Sequence, residues 1–181
     1  MIVTGLDPSL ANTGAVKLVQ DATSSLWSLK ELNLFQNTVE PDDDIRKNEF
    51  DVMRARALWK SILDFTSDSD YICVEIPQTG GEHMQARSIW TSGIALGLIA
   101  TLPAEKLICM TPRDLKQVAG KKDASKEEMC AWAYQLYPTG PWPQRKYKGA
   151  FEKLKSNHHI CDALAAAVSG LQKKNLWTGA S

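Results

Sequence analysis

Apolar residues fall in two patterns along the chain. Short unbroken runs, Met1-Ile2-Val3-Thr4-Gly5-Leu6 and Tyr71-Ile72-Cys73-Val74, predict buried strands, and each is followed by a carboxylate, Asp7 or Glu75. Ala15 to Val19 predicts another strand. The Pro, Asn and Gly of Asp7-Pro8-Ser9-Leu10-Ala11-Asn12-Thr13-Gly14 form a turn that joins it to the first as a hairpin. Leu26 to Phe35 and Glu105 to Met110 complete five strands. Helical spacing of Phe50, Met53, Ala57, Leu58, Ile62 and Phe65 predicts a long helix, opened by the acidic Glu40-Pro41-Asp42-Asp43-Asp44. A second helix, Met84 to Thr101, follows the flexible Gly80-Gly81. Thr111-Pro112 starts a third with Thr as N-cap and Pro at the first helical position, and Ser125-x-x-Glu128 is a capping box for a fourth. Tyr137 to Gly149, rich in Pro and basic residues, reads as a loop before a last apolar helix from His159 to Val168. This element order is that of an α/β domain with a mixed five-stranded sheet flanked by helices.

The length of 181 residues suits one domain, 1–181, and 44% hydrophobic with 23% charged residues is the composition of a globular chain. No apolar run reaches the roughly 20 residues of a membrane span, and Met1 leads into a strand without a basic leader. The expectation is an intracellular, cytoplasmic protein with no membrane partner. Cys73, Cys109, Cys130 and Cys161 form no C-x-x-C pair and read as reduced thiols. Trp27, Trp59, Trp90 and Trp132 lie in apolar periodic contexts and are expected in the core. Net charge is zero, which argues against a generally basic nucleic-acid binder, yet it is unevenly spread. Residues 1–105 carry 8 Lys/Arg against 15 Asp/Glu, whereas residues 106–155 carry 11 against 5. The second stretch offers a cationic surface suited to a polyanion; a solvated helical surface explains the charge equally well.

Ionised groups at core-strand ends cost several kcal/mol unless compensated. Asp162 lies one turn after His159 on the last helix, so the two share a face with each other. Asp7, Glu75, Asp162 and His159 together offer three carboxylates and an imidazole, a donor set for Mg²⁺ or Mn²⁺. Two such ions about 4 Å apart can activate water and stabilise a leaving oxygen in phosphodiester hydrolysis. Three unrelated salt bridges are the alternative, and His158, four residues before Asp162, is a rival ligand.

Asp7-Pro8-Ser9-Leu10-Ala11-Asn12-Thr13-Gly14, Val74-Glu75, Thr111-Pro112 with Lys116 and Gly120-Lys121, Ala124-Ser125-Lys126 and His159-Ile160-Cys161-Asp162-Ala163-Leu164-Ala165 resemble, in order, the motifs of the RuvC family of Holliday-junction resolvases. The resemblance implies an RNase H-like fold, a homodimer and symmetric metal-dependent nicking of four-way DNA junctions. It makes Asp7, Glu75 and Asp162 metal ligands and gives His159 a place that in many members is Asp. Small, diverged resolvases of this type are known from phages. Lys121 or Lys122 is expected to stabilise transition-state charge, with Arg113, Lys116 and Lys126 as phosphate grips. Arg145-Lys146-Tyr147-Lys148 is a second basic cluster, with Tyr147 able to stack on a base.

Departures accompany the likeness. Ser9 stands where the family commonly has Gly. After Glu75, where similar resolvases place a junction-wedging aromatic, the chain reads Ile76-Pro77-Gln78-Thr79-Gly80-Gly81-Glu82-His83, with no Phe, Tyr or Trp before Trp90. An RNase H-type or flap nuclease, and a branched-DNA-binding protein that does not cut, remain alternatives. An actin-like ATPase or sugar kinase shares the fold but needs two such lobes.

Overall fold

The computed structural model describes residues 1–36, 39, 44–76, 85–147, 150–153 and 156–181. Strands β1 (Ile2–Asp7) and β2 (Asn12–Val19) form the expected antiparallel hairpin, with Asp7 opposite Gly14. β3 (Ser28–Gln36) pairs antiparallel with β2, while β4 (Tyr71–Glu75) and β5 (Leu107–Met110) add in parallel on the other side of β1. The five-stranded sheet has the order β3-β2-β1-β4-β5. Two helices, α1 (Lys47–Thr66) and α2 (Ala86–Ile99), form one layer with a core of Leu6, Leu58, Ile62, Phe65, Val74 and Ile99. On the other face lie α3 (Pro112–Val118), α4 (Lys126–Leu136) and α5 (Asn157–Lys173).

The expected capping box at Ser125 forms, and the Thr111 cap proves to be a second one, with Asp114. The Thr111 hydroxyl accepts from Asp114 N and the Ser125 hydroxyl from Glu128 N, and each acid bonds back to its cap's backbone. α1 buries Leu58, Ile62 and Phe65 as expected, but its first turns differ: Asp51 and Ala55 face inward, whereas Met53 is 40% exposed. A polar residue holds the first inward position: Asp51 is fully buried and bound by Arg87 at 2.6 Å and by the Trp90 indole N–H at 3.1 Å. Trp90 therefore stands 46% exposed, with its N–H turned to Asp51, instead of in the core. Trp27 is fully buried as expected, and Trp59 and Trp132 are half-buried. α1 also starts at Lys47, past the acidic stretch.

The expected loop from Tyr137 contains a β-ribbon, β6 (Gln144–Tyr147) paired antiparallel with β7 (Ala150–Lys153). Buried Tyr137 and Trp142 anchor its approach, and the register sets Arg145 opposite Glu152. All four cysteines are free thiols, with Cys73 and Cys161 buried but Cys109 exposed. Among the described residues no helix is long and apolar enough to cross a membrane.

α5 fixes the geometry of everything near it. It packs across β1, β2 and β4 with Ala163, Leu164, Ala165, Ala166 and Ala167 all fully buried. The approach is close enough that a Cβ on Gly5 would overlap the Ala163 carbonyl oxygen, and one on Gly14 the His159 carbonyl oxygen. Backbone cannot move aside as a flexible side chain does. Gly97, exposed on α2, has open space where its Cβ would be. We expect opposite signs in urea unfolding: Gly5→Ala should destabilise by about 1–3 kcal/mol or more through overpacking, and Gly97→Ala should stabilise by about 0.5–1 kcal/mol through helix propensity. Equal effects would contradict the close helix–sheet contact.

Candidate active site

β1 and β4 run parallel, and the register Leu6↔Val74 sets their last residues, Asp7 and Glu75, side by side at the carboxyl end of the sheet. α5 delivers the other two groups. The His159 imidazole Nδ1 lies 2.6 Å from Asp7 Oδ2, both side chains mostly shielded from solvent. Asp162, one turn on, lines a cleft of about 420 Å³ together with Glu75. The four residues singled out in the sequence thus lie together at the carboxyl ends of β1 and β4. His158 is half-buried, with its ring centroid 4.0 Å from that of His159.

Electrostatics mark the spot as short of positive charge. Burial, then the neighbouring Asp7 and Asp162 carboxylates, push the Glu75 carboxyl up to about 8. Burial, then Asp7, push Asp162 up to about 7, partly offset by His159, Lys126 and Lys116. Uncompensated acids at one locus suit a divalent cation, and three carboxylates with an imidazole are hard or borderline donors. Among the described residues no three of these side chains already surround a single point as ligands would; Asp7 and His159 are turned to each other.

The basic residues divide. Lys116 of α3 and Lys126 of α4 line the same cleft as Glu75 and Asp162, and both act electrostatically on the two acids. Lys121, expected beside the scissile phosphate, is instead ion-paired with Glu128, whose other oxygen caps α4. Lys122 and Arg113 are outside the set that lines the cleft. The distinction depends on where α3 and α4 start relative to β4, which the linear spacing of lysines does not carry. Arg145 and Lys146 are exposed on β6. Lys148, residues 77–83 and the acids at 40, 42 and 43 lie outside the described residues, as does the Tyr147 side chain.

No protein-family model and no curated protein sequence matches the chain. Solved structures do. The Thermus thermophilus RuvC structure in complex with a Holliday junction substrate matches at TM-score 0.61 and 21% identity, covering 93% of this chain and 92% of that one. The yeast mitochondrial Holliday junction resolvase Ydc2 matches at TM-score 0.57 and 13% identity over 96% of this chain and 80% of that one. The fowlpox virus Holliday junction resolvase gives 0.51 and 14%, covering 96% and 99%. The chain has the RuvC-type, RNase H-like fold.

A stability profile follows from the two raised acids. In metal-free protein Glu75 and Asp162 hold protons to about 8 and 7, against ordinary values of 4.5 and 3.8, so at intermediate pH the folded state binds more protons than the unfolded one. Stability then falls as pH rises, its contribution complete below about pH 4 and lost by about pH 8. We expect the melting temperature of EDTA-treated protein to fall across that window, the fall to be largely removed in Glu75→Gln/Asp162→Asn, and added Mn²⁺ to stabilise most at the alkaline end. A flat profile for the metal-free wild type would contradict this assignment.

Proposed function

We propose that the chain is a metal-dependent endonuclease that resolves four-way DNA junctions, acting as a homodimer of single domains spanning 1–181. The observation that carries this reading is the gathering of Asp7, Glu75, His159 and Asp162 at the carboxyl end of the central strands, beside a cleft that also presents Lys116 and Lys126. The RuvC-type fold supports it, since the Thermus thermophilus protein of that fold was solved with a Holliday junction substrate.

Asp7, Glu75, Asp162 and His159 would hold Mg²⁺ or Mn²⁺, in a two-ion arrangement. When bound, such ions lower the pKa of water and offset charge on phosphate oxygens. The chain's own groups do the rest. The pairing between Asp7 and His159 fixes the orientation of both before any substrate arrives. Lys116 and Lys126, facing the acids, are placed to stabilise charge that develops on the phosphate, which moves that role from Lys121 and Lys122 to these two. Arg113, Lys121 and Lys122 then serve as outer phosphate grips, Arg145 and Lys146 extend the basic surface along the ribbon, and Lys148 is a further DNA contact in this reading. An imidazole in place of a fourth carboxylate favours Mn²⁺ over Mg²⁺.

The deciding experiment is a gel assay of purified protein on a mobile four-way junction, a flap, a duplex and an RNA–DNA hybrid, each with Mg²⁺ or Mn²⁺. Symmetric nicking of the junction supports the reading, and cutting confined to the hybrid or flap replaces it with another nuclease of the same fold. Asp7→Asn should abolish cutting and leave junction binding intact or tighter, because a negative charge facing phosphate is removed. Lys116→Ala and Lys126→Ala should each lower turnover by about 10²-fold with little loss of affinity. Lys121→Ala/Lys122→Ala should mainly reduce the salt dependence of binding, by about one unit of log–log slope for each phosphate no longer neutralised. The reverse pattern would return the catalytic role to Lys121 and Lys122.

A further inference from the structure

Asn157 opens α5 two residues before His159 and is fully buried. Its side-chain amide nitrogen donates to the Pro143 carbonyl at 3.0 Å and to the Tyr134 hydroxyl at 3.3 Å. Both acceptors sit on firm ground. Pro143 immediately precedes β6, and the buried Trp142 beside it stacks edge-on against Tyr134, with ring centroids 4.8 Å apart and planes at 77°. The Trp142 indole N–H donates in turn to the Tyr137 carbonyl at 2.9 Å. One side chain thus joins α4, the foot of the basic ribbon and the first turn of α5.

The orientation of that amide is dictated by its partners. A carbonyl oxygen only accepts, so the Pro143 carbonyl requires the NH₂ side of Asn157. Asn157 Oδ1 is consequently buried with no hydrogen-bond partner among the described residues. A buried acceptor without a donor is a cost that an apolar residue of similar shape would avoid, and such groups call for an explanation. The Ser156 side chain makes no cap hydrogen bond, and Asn157 ties this helix start to α4 and to the foot of the ribbon. Beneath it, the His159 backbone sits on Gly14 with no room for a Cβ, and the His159 ring meets Asp7 at 2.6 Å. A helix start held from beside by Asn157 and from below by Gly14 has little freedom to carry His159 elsewhere.

We propose that Asn157 is a positioning residue for the candidate active site: its joint to Pro143 and Tyr134 sets the first turn of α5 so that His159 reaches Asp7 and Asp162 comes to rest beside Glu75. This rests on the metal-dependent nuclease reading. Groups that orient metal ligands without touching the ion typically matter by about 10–100-fold in metal affinity or activity. The loss comes from misplacement of reacting groups, to which rates respond steeply.

Asn157→Leu separates positioning from folding, because it removes the joint together with the orphaned oxygen. The Pro143 carbonyl and Tyr134 hydroxyl that lose its amide belong to half-buried residues with access to solvent. We expect it to keep a melting temperature within a few degrees of wild type in metal-free buffer and to bind a four-way junction within about threefold. Mn²⁺ affinity by calorimetry, and the cutting rate at saturating junction, should each drop by about tenfold or more. Unchanged Mn²⁺ affinity and rate in a folded Asn157→Leu protein would overturn the proposal, as would losses that merely track a lowered melting temperature. Should Leu prevent folding, Asn157→Ser, which keeps a short polar side chain but cannot span to Pro143, is read by the same criteria. Wild-type protein that cuts no DNA would instead sink the nuclease reading, and active wild type with an indifferent variant sinks this inference alone.

Discussion

The contact between α5 and the sheet is the constraint on which the rest depends. A helix normally stands off a sheet by the thickness of intervening side chains. Here Gly5 and Gly14 leave β1 and β2 bare under the Ala163 and His159 carbonyls, and α5 answers with a run of alanines. That closeness has a chemical consequence. Side chains as short as Asp162 and as stiff as His159 can reach carboxylates at the strand ends only from a helix pressed against those strands. A larger residue at Gly14 would displace the histidine backbone first.

Charge is handled differently at the site and away from it. Asp51 is fully buried but meets Arg87, Arg54 and the Trp90 N–H, and the mostly buried Lys17 meets Asp68 at 2.8 Å while lying over the Phe65 ring. Those charges are answered by named partners and tie layers together. Glu75 and Asp162 are surrounded by like charge and by lysines too weak in their effect to bring either acid back to the ordinary carboxylate range. Asp51 is answered by partners within the chain, whereas Glu75 and Asp162 are not, which is the electrostatic pattern of a candidate functional site.

Local chemistry makes much of this legible in the sequence. The first hairpin, the Thr111 cap, the Ser125 capping box and the carboxylates ending β1 and β4 are decided by neighbours a few residues away, and the structure has them where the residues indicate. What the sequence conceals is decided at long range. Asp51 hides the inward face of α1 because its burial depends on Arg87, thirty-six positions on, and the same pairing draws Trp90 out of the core. The ribbon β6–β7 carries four-residue strands dominated by polar and basic side chains, which look like a loop until Trp142 and Asn157 anchor them. Which of the nearby lysines lines the cleft with the acids is a matter of how α3 and α4 are set against β4. Glu128, which caps α4 and holds Lys121, is the one local clue.

The seam between α4 and α5 shows how the cationic half of the chain is brought to bear on the acidic edge. Lys126 and Asp162 line one cleft, Cys130 packs against the core that buries Cys161, and the Tyr134 hydroxyl meets Asn157. Positions rise along α4 as they fall along α5, so the helices run antiparallel with contacts spaced by about one turn on α4. At one end of this seam stand the carboxylates and the inward lysines. At the other, Pro143 begins the ribbon bearing Arg145 and Lys146. A polyanion held along the ribbon and α3, as proposed, would therefore press on a frame continuous with α5, because the same side chains that close the core between α4 and α5 also join the basic surface to the candidate site. Binding and chemistry then share one rigid element, and any looseness in the seam is felt first where His159 and Asp162 must meet the strand ends.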